Sequence, residues 1–290
     1  MAVVTTGFFD GVHIGHRHVL GAVVSCARER GEEAVVVTFW PHPRTVLQQD
    51  ARDLRLLSSL EEKKALLAAA GIDRVEVLPF TRSFAAMTAA EYLQMLRDKF
   101  GATVVVMGYD NRIGSDRLMA GQMKSEWPIK LVGEYIDSAQ SVESISSTQI
   151  RKTILAGEIE KANAMLGYNY GLYGVVVAGN RLGRTIGFPT ANMKLYEPLK
   201  LVPEGGVYAV DVQVLGKEYR GMCNIGVRPT VGANNGLTIE TNIFDFDEDI
   251  YGLDIRIAFR RRIRAEQRFA SLEELKDQLQ KDRQICLKSY

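Results

Sequence analysis

At Gly167 the spacing of apolar residues changes, and no single layered fold serves both halves of the chain. Before it, short Val-rich runs at residues 3–6, 35–39, 75–78 and 104–107 alternate with segments of helical period. Such runs have the look of strands covered on both faces, and strand-helix alternation predicts a parallel sheet wrapped by helices. The helix ends are readable. Ser59 with Glu62 and Thr88 with Glu91 fit capping boxes, and Gly31, Gly71 and Gly101 stand where helices stop. After Gly167, period-two alternation at residues 173–178, 207–215, 238–246 and 253–259, separated by Gly, Pro and Asn, predicts a small antiparallel barrel or sandwich. A last helix opens on Ser271 and Glu274 and carries an apolar stripe of Leu272, Leu275, Leu279 and Cys286, structural rather than catalytic. We expect two domains, 1–166 and 167–290, divided after the short helices that carry Arg151 and Leu155.

A chain of 290 residues with 46% hydrophobic content is long enough for two cores. Thirty-six Lys and Arg against 35 Asp and Glu leave a net charge of +1, so no basic field points to nucleic acid. Any anion must be held by local geometry. The opening Met1-Ala2-Val3-Val4 has no basic leader region, and no run approaches the roughly 20 apolar residues of a membrane span. A cytoplasmic protein without a membrane partner is expected. Cys26, Cys223 and Cys286 are odd in number and far apart, which argues for reduced thiols over a disulfide framework or zinc site.

Residues 7–16 read Gly-Phe-Phe-Asp-Gly-Val-His-Ile-Gly-His, between the first apolar run and a helical segment. A helix start gathers unpaired N–H groups and about half a positive charge, so a strand-turn-helix of this kind suits phosphate. A lone histidine is usually structural. Here His13 and His16 are two of the chain's four, flanking Gly15. The segment resembles the H-x-G-H signature of nucleotidyltransferases and, more narrowly, the Gly-x-Phe-Asp-Gly-Val-His-x-Gly-His block of bacterial FAD synthetases.

Three later segments are similar to further blocks of that family: Phe39-Trp40-Pro41-His42-Pro43, Gly108-Tyr109-Asp110, and Ser146-Ser147-Thr148-Gln149-Ile150-Arg151. By themselves the last residues describe a capped helix with a surface arginine. The resemblance implies a Rossmann-type nucleotidyltransferase domain that moves the AMP half of ATP onto FMN. It assigns His13 and His16 to catalysis. Phe9, Asp10, Gly11, Gly15, Asp110, Ser147, Thr148 and Arg151 become the nucleotide-binding residues. Trp40, Asn111 and Ile113 depart from the pattern, the first where an acidic residue is common and the others where an aromatic is usual.

Residues 179–192 contain Gly179, Gly183 and Gly187 and end in Pro189-Thr190-Ala191-Asn192. There is no G-x-x-x-x-G-K-[ST] and no G-x-G, which excludes a Walker loop and a dinucleotide fingerprint. Glycines alone would make a turn-rich hairpin. With the Pro-Thr-Ala-Asn core the segment resembles riboflavin kinases, and residues 224–230, 239–246 and 251–252 match their next blocks. The resemblance implies ATP phosphates at Gly183 and Gly187, Mg²⁺ at the oxygens of Thr190 and Asn192, and Glu240 as the base. A mid-strand Glu is otherwise a solvent-facing residue. For most of Arg260, Arg261, Arg262 and Arg264 a solvated strand end is the expectation. Tyr168 replaces an arginine common in the family.

The expected function is phosphorylation of riboflavin to FMN followed by adenylylation of FMN to FAD, each using ATP with Mg²⁺. One alternative keeps only the kinase, with a degenerate nucleotide-binding N-terminal domain; another is a flavin-binding module without turnover. The joint presence of His13, His16, Thr190, Asn192 and Glu240 speaks against the latter.

Overall fold

Strands made of Val and Ala on both faces need a layer above and below, and the first half of the chain supplies both. The computed structural model describes residues 1–47, 53–108, 111–123, 127–133, 145–179, 182–228 and 236–288. They fall into two units, Met1–Ser147 and Thr148–Tyr290. The first begins with β1 (Ala2–Thr6), α1 (Ile14–Arg30), β2 (Glu33–Trp40), a short α2 (Pro43–Leu47), α3 (Leu60–Ala69) and β3 (Arg74–Pro79). It continues with α4 (Arg82–Ala85), α5 (Ala89–Phe100), β4 (Ala102–Gly108), a hairpin of β5 (Arg112–Ile113) and β6 (Leu118–Met119), and β7 (Ile129–Val132).

The main sheet has the order β3-β2-β1-β4-β7 with every pair parallel. Alternate residues of a strand enter opposite cores: Val4 packs with Val37, Leu93 and Leu96, whereas Val3 packs with Val36, Leu20 and Leu67. The chain leaves β1 for β2 on one side, and β4 lies on the other. The crevice beyond the carboxyl end of β1 is therefore the switch point where ligands of such sheets sit. Both anticipated capping boxes form reciprocally, and Gly31 and Gly101 close α1 and α5 in left-handed conformation at φ 63° and 67°.

The second unit starts with α6 (Ser147–Leu155, Ser147 itself belonging to the first unit) and α7 (Ile159–Leu166). Then come β8 (Gly171–Val177), α8 (Leu182–Thr185), β9 (Ala191–Leu195), β10 (Gly206–Val214), β11 (Lys217–Arg228), β12 (Gly236–Ile243), β13 (Asp254–Arg264) and α9 (Leu272–Lys288). The strands close into a barrel of order β10-β11-β12-β9-β8-β13, antiparallel throughout. Although the apolar period changes only at Gly167, α6 and α7 go with the barrel. Asn163 Nδ2 donates to the Phe259 carbonyl at 2.8 Å, and the Glu204 N–H to that of Ile154 at 3.4 Å.

The structure differs from the sequence reading at three points. The 12-residue β11 has no counterpart among the expected strands, because Lys217, Glu218, Arg220 and Gly221 interrupt its apolar alternation. On α9, Leu279 and Cys286 join the core with Phe188 and Met222, but Leu272, the first residue of the helix, is 53% exposed. Arg260 and Arg261 are exposed as expected, yet all four arginines of the cluster have partners. Arg260 meets Asp211 at 2.7 Å, Arg261 meets Glu160 at 3.6 Å, Arg262 donates to the Gly205 carbonyl at 2.6 Å, and Arg264 meets buried Asp282 at 2.8 Å.

Candidate active sites

The turn after β1 is a strained piece of backbone. Phe9, Gly11 and Val12 all take positive φ, at 52°, 77° and 39°, a cost that non-glycine residues bear where a site demands it. His13 is the N-cap of α1: its Nδ1 accepts the His16 N–H at 3.3 Å. That bond leaves Nε2 of a neutral His13 as the hydrogen-bearing atom. The two imidazoles stack 3.6 Å apart at 20°. A Cβ at Gly15 would meet the His13 ring at 3.3 Å, so glycine gives the imidazole its place. The first turn of α1 carries no acid, and its dipole faces the turn uncompensated. Burial, then His13 and Lys63, hold the His16 imidazole well below its ordinary value; its Nδ1 is buried with no hydrogen-bond partner among the described residues. Phe9 lies edge-on beneath His16 at 5.2 Å.

Asp10, 4% exposed, is occupied by protein. Its carboxylate accepts the N–H groups of Leu57 and Ser58 at 3.0–3.1 Å and the Ser58 hydroxyl at 3.2 Å; Ser58 Oγ in turn accepts the Gly11 N–H at 3.0 Å. Asp10 and Gly11 thus clamp the loop before α3 onto the turn. The Ser147 hydroxyl donates to the Asp10 carbonyl at 3.0 Å, which brings the serine of the third block to the histidines. Thr148 and Arg151 follow on α6, on the second unit's side of the division. Asp110 lies outside the described residues.

Beside the turn, at the carboxyl ends of β1, β2 and β4, opens a cavity of about 530 Å³ lined by Gly7, Phe39, Phe80, Phe84, Tyr92 and Asn111, among others. Phe39 has Phe84 at 5.3 Å, Phe80 at 5.8 Å and Tyr92 at 6.4 Å between ring centroids. The Tyr92 hydroxyl bonds Thr6 Oγ1, and burial pushes its pKa upward, so it stays protonated. Sequence reasoning named Phe39 but missed Phe80, Phe84 and Tyr92, which come from the end of β3, α4 and α5, and it missed Ser58 and Lys63. Lys63 left one signal: with Leu67 it occupies the buried face of α3, where a lysine is out of place.

In the barrel, Glu240 of β12 stands opposite Asn224 of β11 and Asn192 of β9. Thr190 Oγ1 donates to Glu240 Oε2 at 3.5 Å, and Asn242 Nδ2 donates to the Pro189 carbonyl at 2.7 Å, so the Pro-Thr-Ala-Asn strap is tied to β12. Two cavities meet at this strap. One of about 330 Å³ is lined by Arg184, Pro189, Thr190, Asp247 and Tyr251; another of about 310 Å³ by Phe188, Thr190, Asn224, Glu240 and Phe269. Thr190 lines both. Gly183 accepts the N–H groups of Ile186 and Phe188 at 3.2 and 2.8 Å, and Gly187 turns at φ 83°. Cys223 points away from Asn224 into the barrel, where burial pushes its thiol up to about 12. No group of three His, Cys, Asp or Glu side chains that could hold a metal occurs among the described residues. Thr190, Asn192 and Glu240 nonetheless bring a hydroxyl, an amide and a carboxylate together, the hard oxygen set that Mg²⁺ takes alongside phosphates and water.

Residues 1–153 match the family model described as FAD synthetase, and residues 166–290 match riboflavin kinase. The bifunctional riboflavin kinase/FMN adenylyltransferase of Bacillus subtilis (strain 168) is 36% identical over 296 residues, covering 100% of this chain and 92% of that protein. The chain belongs to the bifunctional riboflavin kinase/FMN adenylyltransferase family. The Escherichia coli (strain K12) protein of that description is 39% identical over 290 residues, covering 97% and 90%. A solved Streptococcus pneumoniae structure, described as a macrolide-efflux protein, superposes with a TM-score of 0.92 at 34% identity, covering 98% and 93%. Among the described residues of this family member, no helix is long and apolar enough to cross a membrane.

Proposed function

We propose that this chain makes FMN from riboflavin in residues 167–290 and FAD from FMN in residues 1–166. The observation that carries the reading is that each unit has its own phosphate-grade constellation beside its own cavity: the stacked histidines at the start of α1, and the Thr190–Glu240 pair where two cavities meet.

In the kinase step, Glu240 accepts the proton of the terminal ribityl hydroxyl as its oxygen attacks the γ-phosphorus of ATP. The bond to the β-phosphate oxygen breaks and ADP leaves. The arrangement supports riboflavin in the cavity walled by Glu240 and Phe269 and ATP in the one walled by Arg184 and Tyr251. Thr190 and Asn192 are the residues that would hold Mg²⁺, which supplies charge neutralisation on the phosphates. Gly183 and Gly187 shape the phosphate-facing loop.

In the adenylyl step, a phosphate oxygen of FMN attacks the α-phosphorus of ATP, and pyrophosphate leaves with its bond electrons; no enzyme nucleophile takes part. Alignment of two anions supplies about 7–11 kcal/mol, more than the factor of about 10²–10⁴ from acid–base help. His13 and His16 donate to the crowded phosphate, with Ser147, Thr148 and Arg151 on the leaving pyrophosphate. Phe9, Asp10, Gly11 and Gly15 act by placing the imidazoles and the loop. The aromatic cavity of Phe39, Phe80, Phe84 and Tyr92 is suited to the flat flavin ring.

Incubation with riboflavin and Mg·ATP, followed by chromatography, tests the proposal in one run. FMN appearing first and FAD after it is the expected result. FMN accumulating with no FAD, even when FMN is supplied directly, would overturn the adenylyl half.

A further inference from the structure

Lys63 sits in the fourth position of α3, directly after the capping box of Ser59 and Glu62, and is fully buried. A lysine seldom occupies such a place unless it is paired. Its Nζ lies 3.5 Å from the centre of the Phe8 ring and 5.8 Å from that of Trp40. The hydrogen bond it makes is a long one, 3.5 Å to Thr38 Oγ1, itself turned to the Phe8 carbonyl. Among the described residues it has no carboxylate within ion-pair distance; the nearest anionic influence is Asp10.

Geometry explains how it came there. Asp10 binds the backbone at Leu57 and Ser58, and this anchors the start of α3 against the histidine turn. The helix then delivers its fourth residue to the carboxyl edge of β1 and β2. The groups that face this position are Asp10 from the turn, His13 and His16 from α1, and His42, which packs edge-on against Phe8 at 4.3 Å. A cation buried here does nothing for packing that a methionine would not do better.

We propose that Lys63 is a positioning residue for adenylyl transfer: a fixed positive charge behind the Phe8 ring that holds the His13–His16 pair in one protonation arrangement and draws phosphate to the start of α1. The inference rests on the adenylyl-transfer reading of this site. Burial and then His13 favour a neutral His16, and the ammonium adds to both, so a neutral, donating imidazole is the working form. Burial pushes the ammonium itself down to about 8, partly opposed by Asp10. Its charge is therefore sensitive to an anion arriving nearby.

The test compares the full-length protein with Lys63→Met, supplying FMN and Mg·ATP from pH 6 to 9.5, with riboflavin phosphorylation in the same preparations as a control. In the parent protein FAD formation declines above about pH 8 as the ammonium loses its proton. In Lys63→Met we expect roughly a 10- to 100-fold loss of kcat/KM for FAD formation, no decline tied to that ionisation, and unchanged FMN formation. By NMR the His16 ring should titrate higher in the variant. Equal kcat/KM and an unmoved His16 titration would overturn the proposal. If the variant does not fold, the unsubstituted protein decides: with labelled lysine, inorganic pyrophosphate should raise the Lys63 pKa, and no change overturns the idea. An unsubstituted protein that makes no FAD at all defeats the adenylyl-transfer reading instead.

Discussion

Asp10 shows how a motif letter can act through the protein's own backbone. Its carboxylate accepts three hydrogen bonds from Leu57 and Ser58 in a buried setting, where charge-assisted bonds are strong and their loss is costly. Asp10→Ala is expected to destabilise the first unit by about 2–3 kcal/mol and to lower FAD formation in proportion to the displaced turn; urea unfolding beside the FAD assay checks both. The Lys63 ammonium acts in the opposite sense. Its pKa falls from 10.5 to about 8 on folding, so the native state sheds its proton first and stability rises with pH between those values. Below about pH 8 the full cost, about 3 kcal/mol, is present. Lys63→Met should therefore melt higher than the parent at pH 7, with the gap closing as pH approaches 10.5; a gap that stays constant across that range would contradict this account. The ten-residue block that carries His13 and His16 was legible as letters because its spacing is local. Lys63 was not, since its setting depends on a contact between Asp10 and a loop 47 residues away.

Elements carry the same contrast. Helix ends at Ser59, Thr88, Gly31 and Gly101 were readable because caps are chemistry of neighbours in sequence. Strand β11 was hidden, because in a barrel the solvent-facing residues of a strand can be charged and glycine can enter at a close crossing; a Cβ at Gly221 would meet the Asn242 carbonyl at 2.9 Å. The aromatic cavity was hidden too, being assembled from β2, the residue after β3, α4 and α5. On the barrel side, α9 is held by an ion pair across the core edge: Arg264 to Asp282, with Gln278 Nε2 donating to the same carboxylate at 2.8 Å. Asp282 is fully buried. Removing one partner of such a pair strands the other charge, at a cost of about 3–5 kcal/mol. Asp282→Ala should destabilise the barrel by that amount, read as a lower denaturation midpoint, and, since Arg264 also lines the Glu240 cavity, raise the KM for riboflavin. An unchanged midpoint would show that the pair is not what fastens α9.

Across the whole molecule, the histidine turn and the Thr190–Glu240 pair lie in different units, each beside its own cavities. Substitution should divide the two activities cleanly. His16→Ala is expected to lower FAD formation by about 10²-fold or more while FMN formation continues, and Glu240→Gln should do the reverse when FMN is supplied. Loss of both activities in either variant, with circular dichroism unchanged, would refute independent sites. The change of apolar period at Gly167 made the two-part architecture readable, yet it could not assign α6 and α7, whose partners lie on β13 and the loop before β10.

Glu240, Asn192 and Asn224 meet only because three neighbouring strands are aligned to the residue. Sliding β12 by one position would swing the carboxylate to the other face of the barrel wall and offer Ile239 or Thr241 in its place. With Glu240 in the role proposed for it, kinase competence is all-or-none for each molecule. A partly misfolded preparation should contain fewer working copies at full turnover, never many copies that work poorly.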